Sequence, residues 1–283
     1  MSAALMNDAV AELPAGPVFY RDSGGAGVAV VLLHAASGNS LMWQHQIPAL
    51  TGAGYRVVAI DYRGVHGEPG PYDWSDQIDA LVLHLNIGRF HMLGTAAGGG
   101  AAFQYVLAHA AKVRSLVVAN SHGNVTDKDY VAMGKRIRPS PQFDDLPVDF
   151  RELGPSYRAA DPGGVARWLA LSARKPGSEA ASANTREESI APVSAQRFAL
   201  KPERMVTWAR LEALQVPTLL ITGDADLYTP PSVLRMFSSH MKTAESAIIP
   251  ETGHSSYWES PELFNATVLA FLRKHSALIS TGR

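Results

Sequence analysis

The chain of 283 residues contains no cysteine, which excludes disulfides and thiolate chemistry. No uninterrupted apolar run approaches the ~20 residues that span a bilayer. The first sixteen residues hold Asp8 and Glu12 but no Lys or Arg, so the basic start of a secretory signal is missing. A soluble, cytoplasmic protein without a membrane partner is the expectation. Charge is sparse at 18% and balanced, with 25 basic and 26 acidic residues and a net charge of −1. That balance offers no surface for nucleic acid or an anionic membrane. No metal-ligand spacing, internal repeat or low-complexity tract is found. The expected partner is a small-molecule substrate, with no metal or cofactor, and self-association as a homodimer is left open.

The length and an apolar fraction of 46% allow a large core, as one α/β domain with insertions or as two small domains. The organising stretch is Phe90-His91-Met92-Leu93-Gly94-Thr95-Ala96-Ala97-Gly98-Gly99-Gly100. An apolar run meets the smallest residues, and an Ala-rich helical pattern follows through Phe103, Val106 and Leu107. The spacing is that of the G-x-S-x-G nucleophile elbow, with Ala96 where the pattern carries serine. Such an elbow forces its central residue toward positive φ, which costs an L-residue roughly 1–2 kcal/mol and glycine nothing comparable. A chain needing only a turn would do better with glycine at 96. The competing reading is a Gly-rich turn that holds a phosphate. A dinucleotide fingerprint is not met, because Gly94-Thr95-Ala96 lacks the second glycine of G-x-G-x-x-G.

Runs at Val28–Leu33, Tyr55–Ile60, Leu116–Ala119 and Pro217–Thr222 predict buried strands, with shorter ones at Val18–Tyr20 and Ala247–Ile249. Helical spacing recurs at Trp43–Leu50, Trp74–Leu85, Arg204–Leu214, Pro231–Met241 and Pro261–Lys274. Between 122 and 203 no strong strand appears, Pro, Gly and Ser are frequent, and helices are expected at Lys128–Ile137 and Val165–Arg174. Strands alternating with helices imply a mostly parallel sheet flanked by helices. The expected organisation is a leader at 1–16, a core at 17–121 and 204–275, an inserted, mainly helical cap at 122–203 and a tail at 276–283.

In an open α/β sheet, reactive groups gather beyond the carboxyl ends of the strands. Four stretches fall there: the elbow, Gly223-Asp224-Ala225-Asp226, Gly253-His254, and the loop His34–Ser40. Their chain order, with the cap-like insertion, His34…Trp43, Asp61-Tyr62-Arg63-Gly64 and Trp208 before Val216-Pro217, resembles the α/β-hydrolase superfamily from about 17 to 275. Within it, the general likeness is to meta-cleavage-product hydrolases, lactonases and small carboxylesterases.

The resemblance implies an α/β-hydrolase fold and acyl transfer through a nucleophile, His254 as base and Asp226 as its acid. Asp224 competes, but the family pattern puts the acid three residues after the glycine. Backbone N–H groups of Ala97 and Ala36 are the implied oxyanion donors. His34 would orient its loop, although Ala35 stands where the family usually has glycine. His34, Ser37, Trp43 and Trp208 are candidate substrate contacts, the tryptophans against the alternative of core packing. Arg136, Arg138, Arg158 and Arg204 are candidates to grip a substrate carboxylate with a guanidinium fork. Neither Ser37 nor Thr95 occupies the elbow apex.

Three readings of Ala96 stay open. A serine hydrolase could carry alanine in place of its nucleophile, which would stop turnover of an ester or lactone, or of a C–C bond in the neighbouring reading. The chain could instead use the His–Asp pair alone for proton abstraction, as cofactor-free dioxygenases and certain lyases of this fold do. Or it could be a non-catalytic binding module.

Overall fold

The computed structural model describes residues 6–14, 16–62, 73–174 and 202–276. Eight strands form one sheet: β1 (Asn7–Leu13), β2 (Gly16–Asp22), β3 (Ala29–Leu33), β4 (Arg56–Asp61), β5 (Phe90–Thr95), β6 (Val113–Ala119), β7 (Thr218–Gly223) and β8 (Glu245–Ile249). Their order is β1-β2-β4-β3-β5-β6-β7-β8, with the β1–β2 and β2–β4 pairs antiparallel and every later pair parallel. The helices are α1 (Gln46–Gly52), α2 (Trp74–His84), α3 (Ala97–His109), α4 (Lys128–Ile137), α5 (Val148–Glu152), α6 (Pro155–Ala160), α7 (Pro162–Ser172), α8 (Trp208–Glu212), α9 (Pro231–His240), α10 (Ser256–Glu259) and α11 (Pro261–Ser276).

The continuous apolar strands follow from burial on both faces. In β3, Val31 and Leu33 face a core shared with α2, α3 and α9, through Ile78, Phe103 and Phe237. Val30 and Leu32 face the opposite core, shared with α1 and α11 through Ile47, Leu50, Phe264 and Phe271. This is the α/β-hydrolase architecture expected from the sequence. None of the described helices is long and apolar enough to cross a membrane.

Residues 6–14 of the expected leader are not a loose segment. Asn7–Leu13 is a full edge strand whose seven residues pair antiparallel with β2. Backbone pairing holds it there. Only Ala11 is fully buried, with Ala9 and Leu13 packed beside it and Val10 facing solvent, so the alternation of β1 is carried mostly by small side chains and is hard to recognise.

Between β6 and β7 the described residues hold α4 to α7, and Val125 bridges to Val206 where the chain leaves and re-enters the core. Helices α5, α6 and α10 were not foreseen. The helix expected from Arg204 narrows to Trp208–Glu212, because Pro202–Arg204 forms a 3-10 turn. Arg63 and Gly64 of the Asp61–Gly64 motif, residues 175–201 of the insertion and residues 277–283 of the tail lie outside the described residues.

Candidate active site

The centre of the sheet fixes where chemistry can gather. β5 lies between β3 and β6, and β6 lies beside β7, so the segments after these strands meet at one sheet edge. At the end of β5 the chain turns through Ala96, at φ 50 and ψ −116, straight into α3. Four contacts hold this strained residue. Its N–H donates to the Ala119 carbonyl at 3.0 Å, and its carbonyl accepts from Gly99 and Gly100 N–H at 3.1 and 3.3 Å and from Ser121 Oγ at 2.6 Å. The outer glycines are steric requirements: a Cβ on Gly94 would overlap the Gly98 backbone, and one on Gly98 would overlap the carbonyls of Leu33 and His34. That close approach sets the first turn of α3 against the His34–Ser40 loop. The Ala97 N–H, first of the helix, belongs to the donors that have no partner within it.

Asp226 and His254 come together from the ends of β7 and β8. Nδ1–H of His254 lies 3.0 Å from both oxygens of Asp226. The remaining acceptor capacity of the carboxylate is filled by the N–H groups of Tyr228 and Thr229 at 2.8 and 2.9 Å, Thr229 Oγ1 at 2.5 Å and Asn120 Nδ2 at 3.0 Å. Burial alone would raise the Asp226 pKa. The His254 charge and hydrogen bond, with those of Thr229 and Asn120, outweigh it and hold the carboxyl well below its usual range. Burial pulls His254 down, but the Asp226 charge and hydrogen bond pull harder, with Glu152 adding to them, and its pKa is raised. Such a pair fixes the imidazole tautomer and strengthens its second nitrogen as a base. Asp224, the competitor, is exposed, with its N–H bonded to the Ile249 carbonyl.

The candidate substrate contacts divide. Ala36 is exposed and Ser37 half-buried on the loop beside the elbow, and the Ser37 hydroxyl approaches Glu152. Arg138 is half-buried, its guanidinium 5.6 Å from the centre of the Tyr228 ring, which lies 4.3 Å from the His254 ring. The other candidates are placed elsewhere. The His34 ring is buried, with Nδ1–H donating to its neighbour's carbonyl at 2.7 Å, and burial pushes its pKa down to about 4. It braces the loop from below.

Trp43 is fully buried in the core, 5.0 Å from the Tyr257 ring, and Trp208 is half-buried against the core among Tyr130, Phe237 and His240. Arg204 is buried in ion pairs with Asp73 and Asp76 at the start of α2, so its fork is already engaged. Arg136 is exposed, and Arg158 stacks 4.2 Å over Phe150.

Sequence reading missed Asn120, which joins the pair by donating to Asp226 while accepting from Ser256 Oγ at 2.6 Å. It also missed His122, Tyr228, Glu152 and Glu259. One signal was available: Asn120-Ser121-His122 directly follows β6, at the same sheet edge as the elbow. Among the described residues no group of three or more His, Asp or Glu is arranged to hold a metal.

Comparison with known proteins agrees with the fold. A sequence model described as the Alpha/beta hydrolase family matches residues 30–267. RutD of Variovorax paradoxus is 29% identical over 272 residues, covering 92% of this chain and 98% of its own. The 2-hydroxy-6-oxononadienedioate/2-hydroxy-6-oxononatrienedioate hydrolase of Burkholderia vietnamiensis is 26% identical over 283 residues, covering 91% of each. Among solved structures, a thermophilic esterase from Thermogutta terrifontis superposes with a TM-score of 0.75 at 22% identity, over 96% of this chain and all of that one.

Proposed function

The chain belongs to the Alpha/beta hydrolase family, and on that premise we propose that its site is built for hydrolysis at a carbonyl carbon, of a carboxylic ester or lactone, with the nucleophile position occupied by Ala96. The observation that carries this reading is the elbow. A non-glycine residue is held at φ 50 on the same sheet edge as the buried His254–Asp226 pair.

In this reading Asp226 keeps a proton on Nδ1 of His254 and leaves Nε2 as the base. A serine at 96 would give its proton to Nε2 while its oxygen attacks the carbonyl, and the oxyanion would be held by the N–H groups of Ala97 and Ala36. The imidazolium then returns the proton to the departing alkoxide. Water, deprotonated by the same nitrogen, releases the acid. Ala96 offers a methyl group at that place, so the chain as it stands forms no acyl-enzyme and binds its substrate intact.

Two further observations favour second readings. The Burkholderia vietnamiensis relative bears the name of a hydrolase of dienedioate-type compounds, which favours a C–C bond as the one cleaved. The intact pair without a nucleophile favours proton abstraction by His254 alone. Ala96→Ser separates them, assayed against aryl esters, lactones and vinylogous 1,5-diketones. Loss of an elbow serine is worth on the order of 10⁶ in kcat, about 8 kcal/mol. Ala96→Ser should therefore create turnover by that factor, while calorimetry finds nearly equal substrate affinity with and without the hydroxyl. A folded, substrate-binding serine variant that never forms an acyl-enzyme would sink the ester and lactone reading and put proton abstraction ahead.

A further inference from the structure

Glu259 ends α10, five residues beyond His254, and its carboxylate gathers backbone N–H groups from both sides of that histidine. Gly253 N–H lies 3.0 Å from Oε1 and from Oε2, and Ser255 N–H lies 3.3 Å from Oε1. A third donor comes from the insertion: Gly154 N–H, between α5 and α6, reaches Oε2 at 2.7 Å. The two segments also touch directly. Ser255 N–H donates to the Glu152 carbonyl at 3.0 Å. Gly154 and Gly253 cross so closely that a Cβ on Gly154 would stand 2.8 Å from Gly253 N, and one on Gly253 would stand 2.5 Å from Gly154 N.

A carboxylate that merely closed a local turn would need only the donors at 253 and 255. The Gly154 donor is 105 positions away in sequence, and it binds the same oxygen as Gly253. We propose that Glu259 is a positioning residue for His254, locking the histidine's loop to the α5–α6 junction so that the insertion sets where the base stands against Asp226. Burial pushes the Glu259 carboxyl up to about 7 against the pull of its three donors, so the group sits here at an electrostatic cost that surface placement would have avoided. The inference concerns the geometry of His254 and does not require a serine at 96.

The test uses the full chain. Glu259→Gln keeps the side-chain length but turns an NH₂ group toward backbone donors that cannot rotate away, which breaks one side of the clamp. The groups facing His254, namely Asp226, Glu152, Arg138, His122 and Tyr228, are left in place. His254 and His91 are followed by NMR titration, His91 serving as the control because its ring bonds Ser115 and Ser276, away from the site. His254 should titrate about one pH unit lower as its contact with Asp226 loosens, with His91 unmoved. In the Ala96→Ser background kcat should fall about 10²-fold with KM within about twofold. Glu259→Asp keeps the charge with a shorter reach, covers the case in which Glu259→Gln does not fold, and should shift His254 in the same direction by less. An unshifted His254 in a folded variant overturns the proposal. An inactive Ala96→Ser would overturn the hydrolase reading instead and leave the resonance result to decide this one.

Discussion

Replacing Asp226 by asparagine isolates what the carboxylate does for His254. The two backbone donors on Oδ1, Tyr228 N–H and Thr229 N–H, are fixed in place. An asparagine must therefore put its oxygen there and its NH₂ at the Oδ2 position, 3.0 Å from Nδ1 of His254 and 3.0 Å from Asn120 Nδ2. That NH₂ favours the tautomer in which Nδ1 accepts and the ring proton sits on Nε2, where it blocks the nitrogen required as base. In the Ala96→Ser background the wrong tautomer should lower kcat by roughly 10⁴, about 5.5 kcal/mol of transition-state stabilisation. Asp224→Asn, at an exposed position, should leave kcat within about twofold. A second readout needs no turnover. With the Asp226 charge gone, burial is the main influence left on His254, and its pKa must fall below that of the parent. Steady-state kinetics of the two variants and NMR titration of His254 check both statements. If Asp224→Asn were the more damaging substitution, or if the His254 pKa stayed where it was in Asp226→Asn, the acid would have to be reassigned.

Two predictions concern stability. Ala96→Gly removes a Cβ from a residue at φ 50 and should raise the urea midpoint by an amount equivalent to about 1 kcal/mol, somewhat reduced by the entropy glycine adds to the unfolded chain; a lowered midpoint would show that the elbow backbone is not costly. His91, away from the site, is held down to about 4 by burial, against 6.5 in the unfolded chain. As pH falls from 6.5 to 4 the unfolded chain takes the proton first, so the parent should lose up to about 3 kcal/mol relative to His91→Asn, and a stability difference that stays flat across that window would refute the assignment.

The sequence by itself determined the sheet centre and the order of the reactive segments. Val28–Leu33 and Val57–Ile60 are apolar throughout because each strand is covered on both faces, a local property that composition records. Gly94 was legible because its requirement is steric and lies within one turn of chain, whereas that of Gly98 is clearance from the carbonyls of Leu33 and His34 on another segment. Tertiary structure decided what depends on distant partners. Nothing in residue type separates Asp224 from Asp226; the difference is that the second collects donors from its own loop, from His254 and from Asn120, 106 positions away. Arg138 and Arg204 are alike as residues, and only the fold places one beside Tyr228 and engages the other with Asp73 and Asp76. β1 escaped notice because the side chains it turns to the core, Ala9, Ala11 and Leu13, are mostly small, so that main-chain bonds to β2, which carry no side-chain signature, do much to fix its place.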